Sequence, residues 1–337
     1  MIIYLNKDRA IKGPVFQRPY SDLKVNAYIL NRSGKRISQQ LVCTDIDIPS
    51  PQCDEVLIKT MAIGIAPLSA RVGREDWQSG SQTLIPGWNI AGVIVKKGTD
   101  ISTLDLGEAV FGLVDFPGSG KTYAEYVIAK ERHLTGKPGH LSFEEAASAP
   151  LGSLFAWQSL FYDAKINGKS KVMIRGAAGC IGHFGVQIAR YLGAHVIASA
   201  SAYKSKFLAQ LGADGFLNQY APVPGKLCGA IDVVLDDIST STGQALRSAA
   251  VLKPGGRLIV TRFALNAEAV EQAREMGIIA GPAYLHPNSD DLRLVANLMA
   301  RGDIRPFISA VFPFDKLPLA QRRAEIGRSS GAIVVRL

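Results

Sequence analysis

Residues 171–201, KVMIRGAAGCIGHFGVQIARYLGAHVIASAS, decide how this chain folds. The first five residues read as a short strand with Val172, Met173 and Ile174 at its centre. A turn from Gly176 to Gly182 then opens into an amphipathic helix carrying Ile181, Phe184, Ile188 and Leu192 on one side. Gly193 supplies the stop, and residues 196–200 predict a second apolar strand. Strand, glycine turn, helix and strand in this order form the unit that binds a dinucleotide. Small residues let backbone N–H groups approach a pyrophosphate, and the helix N-terminus adds partial positive charge there. Gly179, Cys180, Ile181 and Gly182 are therefore candidate cofactor contacts. The plainer alternative is a glycine turn that serves helix–strand packing alone.

The end of the second strand bears on which dinucleotide fits. An NAD site carries an Asp or Glu there, roughly 20 residues past the turn, to hold the ribose hydroxyls. Here the strand ends Ser199-Ala200-Ser201 without a carboxylate, and Lys204 follows. A carboxylate would repel a 2′-phosphate, whereas Ser199, Ser201 and Lys204 offer hydroxyls and a positive charge. These residues favour NADPH over NADH. Against that stands a simpler reading of Lys204 as a solvated lysine at a helix start.

Composition limits the rest. A chain of 337 residues is long enough for two cores, and 20% charged with 47% apolar residues is a globular balance. No apolar run reaches the roughly 18 residues of a membrane span. The opening MIIYLNKDRAIKGP lacks the apolar core and cleavage site of a secretory signal, so a cytoplasmic enzyme is expected. The net charge of +9 comes from scattered Lys and Arg, which suits steering of phosphorylated ligands better than a nucleic-acid interface. Cys43, Cys53, Cys180 and Cys228 include no C-x-x-C pair, which fits free thiols in a reducing compartment and no zinc lobe. Cys180 lies where a helix N-terminus lowers a thiol pKa. Any small residue would serve there equally, and the thiol is assigned no catalytic duty.

Along the chain, residues 1–24 read as an extension without periodicity. From Lys24 to Ile46 two short strands flank a Ser33-Gly34 turn. Further β-rich runs at 55–63, 90–96 and 123–129 suggest a partly open antiparallel barrel. Ser142 with Glu145 has capping-box spacing and predicts one long helix running towards Tyr162. Strands and helices then alternate, which means a doubly wound parallel sheet. Helices at 290–301 and from Leu317, and a final strand at 332–336, form a tail expected to complete the first domain. The expected division is an extension (1–24), a substrate domain (25–148 and 286–337) and a nucleotide domain (149–285).

Seven segments in this order resemble the medium-chain dehydrogenase/reductase family, in its zinc-free, quinone oxidoreductase-like branch. They are PSPQCDEVLIKTMAIGIAPLSARVG, PGWNIAGVIVKKGTDISTLDLGEAVFGL, TYAEYVIA, LSFEEAASAPLGSLFAWQSLF, GAAGCIGHFGVQIARYLGAHVIASAS, LGADGFLN and LKPGGRLIV. The resemblance covers nearly all of 25–337. It implies an α/β fold: a doubly wound Rossmann sheet inserted in a partly open, GroES-like β-barrel substrate domain, with an active-site cleft between them. It also implies cofactor contacts from Tyr220, Phe263 and Arg328, completing with Ser201 and Lys204 a clamp for NADPH. Relatives that use zinc carry a Cys near residues 63–67 and a His-Glu pair after Gly87. Ala66 and Trp88-Asn89 stand in those places and cannot bind zinc, so no metal is expected. Where relatives show Ile-Asn-Pro-x-Asp, this chain has Ala66 and Ser69, and Trp88 joins them as a candidate pocket residue.

The implied chemistry is NADPH-dependent hydride delivery to a quinone or an α,β-unsaturated ketone or aldehyde, with a small molecule as the only substrate. Tyr123 is the candidate proton or hydrogen-bond donor; a held water, bulk solvent and a purely packed phenol are the alternatives. An enoyl-thioester reductase and a non-catalytic NADPH-binding redox sensor are the rival functions. The stretch around Arg257–Thr261 and 278–280 would lie at a sheet edge, and pairing of two such edges predicts a homodimer.

Overall fold

The quoted stretch folds as strand Lys171–Arg175, helix Gly182–Tyr191 and strand His195–Ala200. Gly193 closes the helix in a left-handed conformation, φ +83°. The computed structural model describes residues 24–31, 36–66, 84–261 and 265–337. The candidates Ser69 and Phe263, and nearly all of the 1–24 extension, lie outside the described residues.

Six parallel strands form one sheet in the order Gly215–Asn218, His195–Ala200, Lys171–Arg175, Ile231–Asp236, Leu252–Val260, Ile279–Pro282. Both faces are covered, as a parallel sheet requires. Val172, Ile174 and Ala198 join Phe184 and Ile188 on one side, while Met173, Ile197, Val234 and Leu258 pack on the other. The strand order reverses between Lys171–Arg175 and Ile231–Asp236. A crevice for ligands opens at the carboxyl ends of the strands at such a reversal.

The second sheet has seven strands and is built around Glu55–Ile65. That strand pairs antiparallel with Asn89–Lys97, Tyr126–Lys130 and Ala332–Arg336. Ala332–Arg336 also pairs parallel with Ile308–Pro313, so the end of the chain returns to the sheet that its first third began. Lys24–Leu30 and Leu41–Asp47 pair as a separate antiparallel ribbon, with a short helix, Ile37–Gln40, between them.

One expected helix is divided. Ser142 caps Phe143–Ser148, and the Ser142/Glu145 box forms in both directions. Pro150 then has no N–H to give, so the helix restarts as Pro150–Trp157 with proline in its first turn and widens to a π-helical turn at Gln158–Asp163. A helix over Thr242–Ala249 follows the fourth strand, and Leu252 already begins the next.

His183 ties the two sheets together. Its ring is fully buried, with Nδ1 2.8 Å from the Gly179 carbonyl oxygen and Nε2 3.4 Å from the Phe307 backbone N–H. A carbonyl only accepts, so Nδ1 carries the proton and Nε2 accepts from Phe307. Burial pushes the imidazole from 6.5 down to about 4. The folded-state value lies below the unfolded one, so the neutral ring's contribution is complete above pH 6.5 and is lost as the pH falls towards 4. That drop corresponds to on the order of 3 kcal/mol. Denaturant titrations at pH 7 and pH 4 should show wild type losing about that much more stability than His183→Gln.

Candidate functional site

The glycine turn sits at the reversal in strand order, and its shape leaves no choice of residue at Gly182. A Cβ there would lie 2.2 Å from the Gly176 carbonyl oxygen. Helix Pro150–Trp157 presses on the turn from below, since a Cβ on Gly152 would meet the Cys180 carbonyl at 2.4 Å. Cys180, Ile181 and Gly182 are consequently buried beneath the turn, while Gly179 faces the crevice.

A cavity of about 280 Å³ opens there. Gly176, Ala178 and Gly179 form one side, Ser201 and Lys204 a second, Tyr220 a third and Arg328 the fourth. Gly179, Ser201, Lys204, Tyr220 and Arg328, chosen from sequence across 150 positions, are thus brought to one place. The Arg328 wall belongs to the returning C-terminal segment. It is fixed by the Gly331 N–H donating to the Ala178 carbonyl at 2.7 Å. Gly331 has φ +79°, and a Cβ would fall 2.0 Å from the Phe307 carbonyl oxygen, so this crossing too needs glycine.

Lys204 is only 8% exposed. Its ammonium donates to the Ser329 carbonyl at 2.9 Å, and burial lowers its pKa. It is therefore not the solvated lysine of the simpler reading. Tyr220 is 79% exposed at the cavity mouth. Its phenol is held below the usual range by hydrogen bonds with Gln219 and Ser201 and by the charges of Arg328 and Lys204. Two cationic side chains and two hydroxyls so placed suit a phosphate monoester. At the opposite end Asp237 takes the Thr261 hydroxyl at 2.7 Å, with its other oxygen turned towards Gly179. A carboxylate suits hydroxyl donors rather than phosphate. Sequence reading missed Asp237; the signal was its position immediately after the fourth strand of the sheet, Ile231–Asp236.

Ser199 does not line this cavity. It lines an adjoining cavity of about 610 Å³, which shares Gln219, Tyr220 and Ile238 with the first, whereas Ser201 lies past the last strand residue, Ala200. Arg175 and Arg247 line the second cavity as well. Arg175 Nη1 pairs with Asp236 at 2.7 Å and also reaches the Ser239 and Ser248 hydroxyls. Asp236 is wholly buried. Burial pushes its carboxyl up, but the Arg175 charge and the hydrogen bonds of Ser248 and Ser239 outweigh this and hold it below the usual range.

The substrate-side candidates are packed. Ala66 is buried at the end of Glu55–Ile65, and Trp88 is 2% exposed, with its indole N–H on the Gly118 carbonyl at 2.6 Å. Trp88 meets Phe116 edge-on, and Phe116 meets Phe155 in the same way. Asn89 is a strut: its amide accepts from the Leu151 N–H and donates to the Gly64 carbonyl. Among the described residues no group of three or more His, Cys, Asp or Glu side chains could hold a metal. Tyr123 is 0% exposed, and its hydroxyl donates to Gln321 Oε1 at 2.8 Å within a cluster containing Ile63, Ile65 and Leu317. That geometry supports the packed phenol among its alternatives.

Comparison with known proteins agrees with the fold. The alcohol dehydrogenase GroES-like domain matches residues 52–139, and a domain described as zinc-binding dehydrogenase matches 211–335. The chain is 29% identical over 306 residues to the 2-methylene-furan-3-one reductase of Solanum lycopersicum, covering 87% of this chain and 74% of that one. It is 29% identical over 311 residues to a trans-enoyl reductase of Aspergillus terreus, covering 84% and 86%. The structure of the quinone oxidoreductase from Coxiella burnetii superposes with a TM-score of 0.85 at 24% identity, covering 94% and 100%.

Removing the Tyr123 hydroxyl leaves a buried acceptor on Gln321 short of one donor. Tyr123→Phe should therefore cost about 1–2 kcal/mol in denaturant titrations. Turnover should stay within about threefold, where a proton donor would lose on the order of a hundredfold.

Proposed function

The chain belongs to the medium-chain dehydrogenase/reductase superfamily, in its zinc-free branch, and on that premise we propose that it is an NADPH-dependent reductase of conjugated carbonyl compounds. Two relatives are named for reducing activated double bonds, a 2-methylene-furan-3-one reductase and a trans-enoyl reductase. The observation that carries the cofactor half is the convergence of Ser201, Lys204, Tyr220 and Arg328 on one cavity beside the glycine turn. With the cofactor's phosphates held there, its nicotinamide end would supply a hydride to an electron-poor carbon.

The chain's own groups divide the work. The turn and the N-terminus of Gly182–Tyr191 hold the pyrophosphate. Arg328 and Tyr220 receive the 2′-phosphate, and Lys204 keeps two N–H donors for it after giving one to Ser329. Asp237 accepts from ribose hydroxyls, and the second cavity, with Ser199 on its wall, takes the base. Phe116, half-buried and edge-on to the packed Trp88 and Phe155, is the aromatic group offered to a flat enone or quinone. With Tyr123 committed to Gln321, the proton for the substrate enolate comes from water. An enoyl thioester is the second reading, favoured by the trans-enoyl reductase relative.

Consumption of NADPH, followed at its absorbance band, tests this against panels of enones, quinones and enoyl-CoA esters. Turnover of enones or quinones upholds the reading, preference for enoyl-CoA selects the second, and no turnover with any panel defeats both. Arg328→Ala should weaken NADPH about tenfold and leave NADH within twofold in equilibrium binding. Equal wild-type affinities for the two cofactors would remove the 2′-phosphate assignment.

We propose further that the chain divides into a substrate unit (25–148 and 286–337) and a nucleotide unit (149–285), works in the cytoplasm and pairs as a homodimer. Among the described residues no helix is long and apolar enough to cross a membrane. Ile279–Pro282 ends the parallel sheet, with Ile279 50% exposed and Met276 and Tyr284 exposed nearby. An edge with apolar neighbours is suited to a twofold partner. Light scattering should give twice the 36.2 kDa chain mass, and Ile279→Lys should shift it to one.

A further inference from the structure

The second cavity holds more positive charge than a base pocket needs. Its lining includes Arg175 and Arg247 but no Asp or Glu. Arg175 is the last residue of the strand that leads into the glycine turn, so its Cα is fixed by the sheet itself. Its guanidinium is fixed too. Nη1 meets Asp236 Oδ2 at 2.7 Å and the Ser239 hydroxyl at 3.2 Å, with the Ser248 hydroxyl as a third partner. Asp236 also accepts the backbone N–H groups of Ile238 and Ser239, at 3.1 and 2.9 Å. One buried carboxylate, with the Ser239 and Ser248 hydroxyls beside it, therefore anchors the Nη1 end of the guanidinium and also holds the turn that separates the two cavities.

We propose that Arg175 is a specificity-determining residue whose guanidinium, locked by Asp236, lies flat against the purine base of the bound dinucleotide. The inference rests on the cofactor reading above and deepens it. A planar cation with its orientation already set loses little entropy when an aromatic ring stacks on it. Cation–π attraction is strongest where both partners are desolvated, and the Arg175 side chain is only 20% exposed. The cavity volume of about 610 Å³ falls within the range of roughly 300–1,000 Å³ usual for small-molecule sites. Ser199, beside Arg175 in the strand register, offers a hydroxyl to the same cavity. The base would thus be read by a stacked cation and polar edges rather than by an apolar slot.

The test uses two fragments of the cofactor on the full chain, adenosine 2′,5′-bisphosphate and reduced nicotinamide mononucleotide. Arg175→Lys keeps a cation for Asp236 and removes the plane. It should raise the Kd of the bisphosphate about tenfold and leave that of the mononucleotide within twofold. If Arg175→Lys proves unstable, the pair Arg175→Met with Asp236→Asn removes both charges together and should give the same split. Unchanged bisphosphate affinity in a folded variant would overturn the inference and leave the cofactor reading standing. Equal weakening of both fragments would overturn it too, by making Arg175 a general prop of the fold. Wild-type protein that binds neither NADPH nor the bisphosphate would overturn the cofactor reading, and this inference with it.

Discussion

The structure depends on the end of the chain coming back to its middle. The Gly331 N–H on the Ala178 carbonyl and the Phe307 N–H on His183 hold the returning segment against the glycine turn. Each contact is small, about the net worth of one hydrogen bond. Their position gives them leverage, because they fix Arg328 and Ser329 opposite Ser201 and Lys204. Without the docking there would be a glycine turn and a sheet but no enclosed cavity. The two glycines that permit it are Gly182 and Gly331, since a Cβ on either would fall about 2 Å from a carbonyl oxygen.

The charges around the cavity follow a division by depth. Buried charges are paired: Arg175 with Asp236, and the Lys204 ammonium with a backbone carbonyl. The exposed Arg328 charge stands at the mouth beside the Tyr220 phenol, where an incoming anion can replace water. Pairing in the interior avoids the cost of an isolated buried ion. The net charge of +9 adds long-range attraction for a polyanionic ligand, which screening confines to about 8 Å at physiological salt.

Much of this was legible in the sequence because local chemistry and global fold agree there. Glycines, periodic apolar residues and the Ser142/Glu145 box each report on their own neighbourhood, and the sheet followed from them. The break at Pro150 is local as well, but it was hidden by the capping box before it and the apolar run after it. What sequence could not give was direction and depth. Ser199 and Ser201 look equivalent in a string, yet the strand ends at Ala200 between them, and they line different cavities. Tyr123 looks like an available phenol, and only the packing of helix Leu317–Ile326 shows its hydroxyl already taken by Gln321. Asp237 went unnoticed because its partner in the cavity, Gly179, lies 58 positions away.

The same return of the chain has a consequence for synthesis. Residues 171–282 contain all six strands of the parallel sheet, so that sheet can assemble while the tail is still on the ribosome. The cavity cannot, since its last wall is residues 325–329 and the bond that seats that wall comes from Gly331. A ribosome-bound or prematurely terminated chain would carry a folded sheet with an open, low-affinity cavity. Capture of the nucleotide would then wait for residues 325–331, and the ligand's binding energy would protect chains that carry this wall from proteolysis while leaving those cut before it exposed.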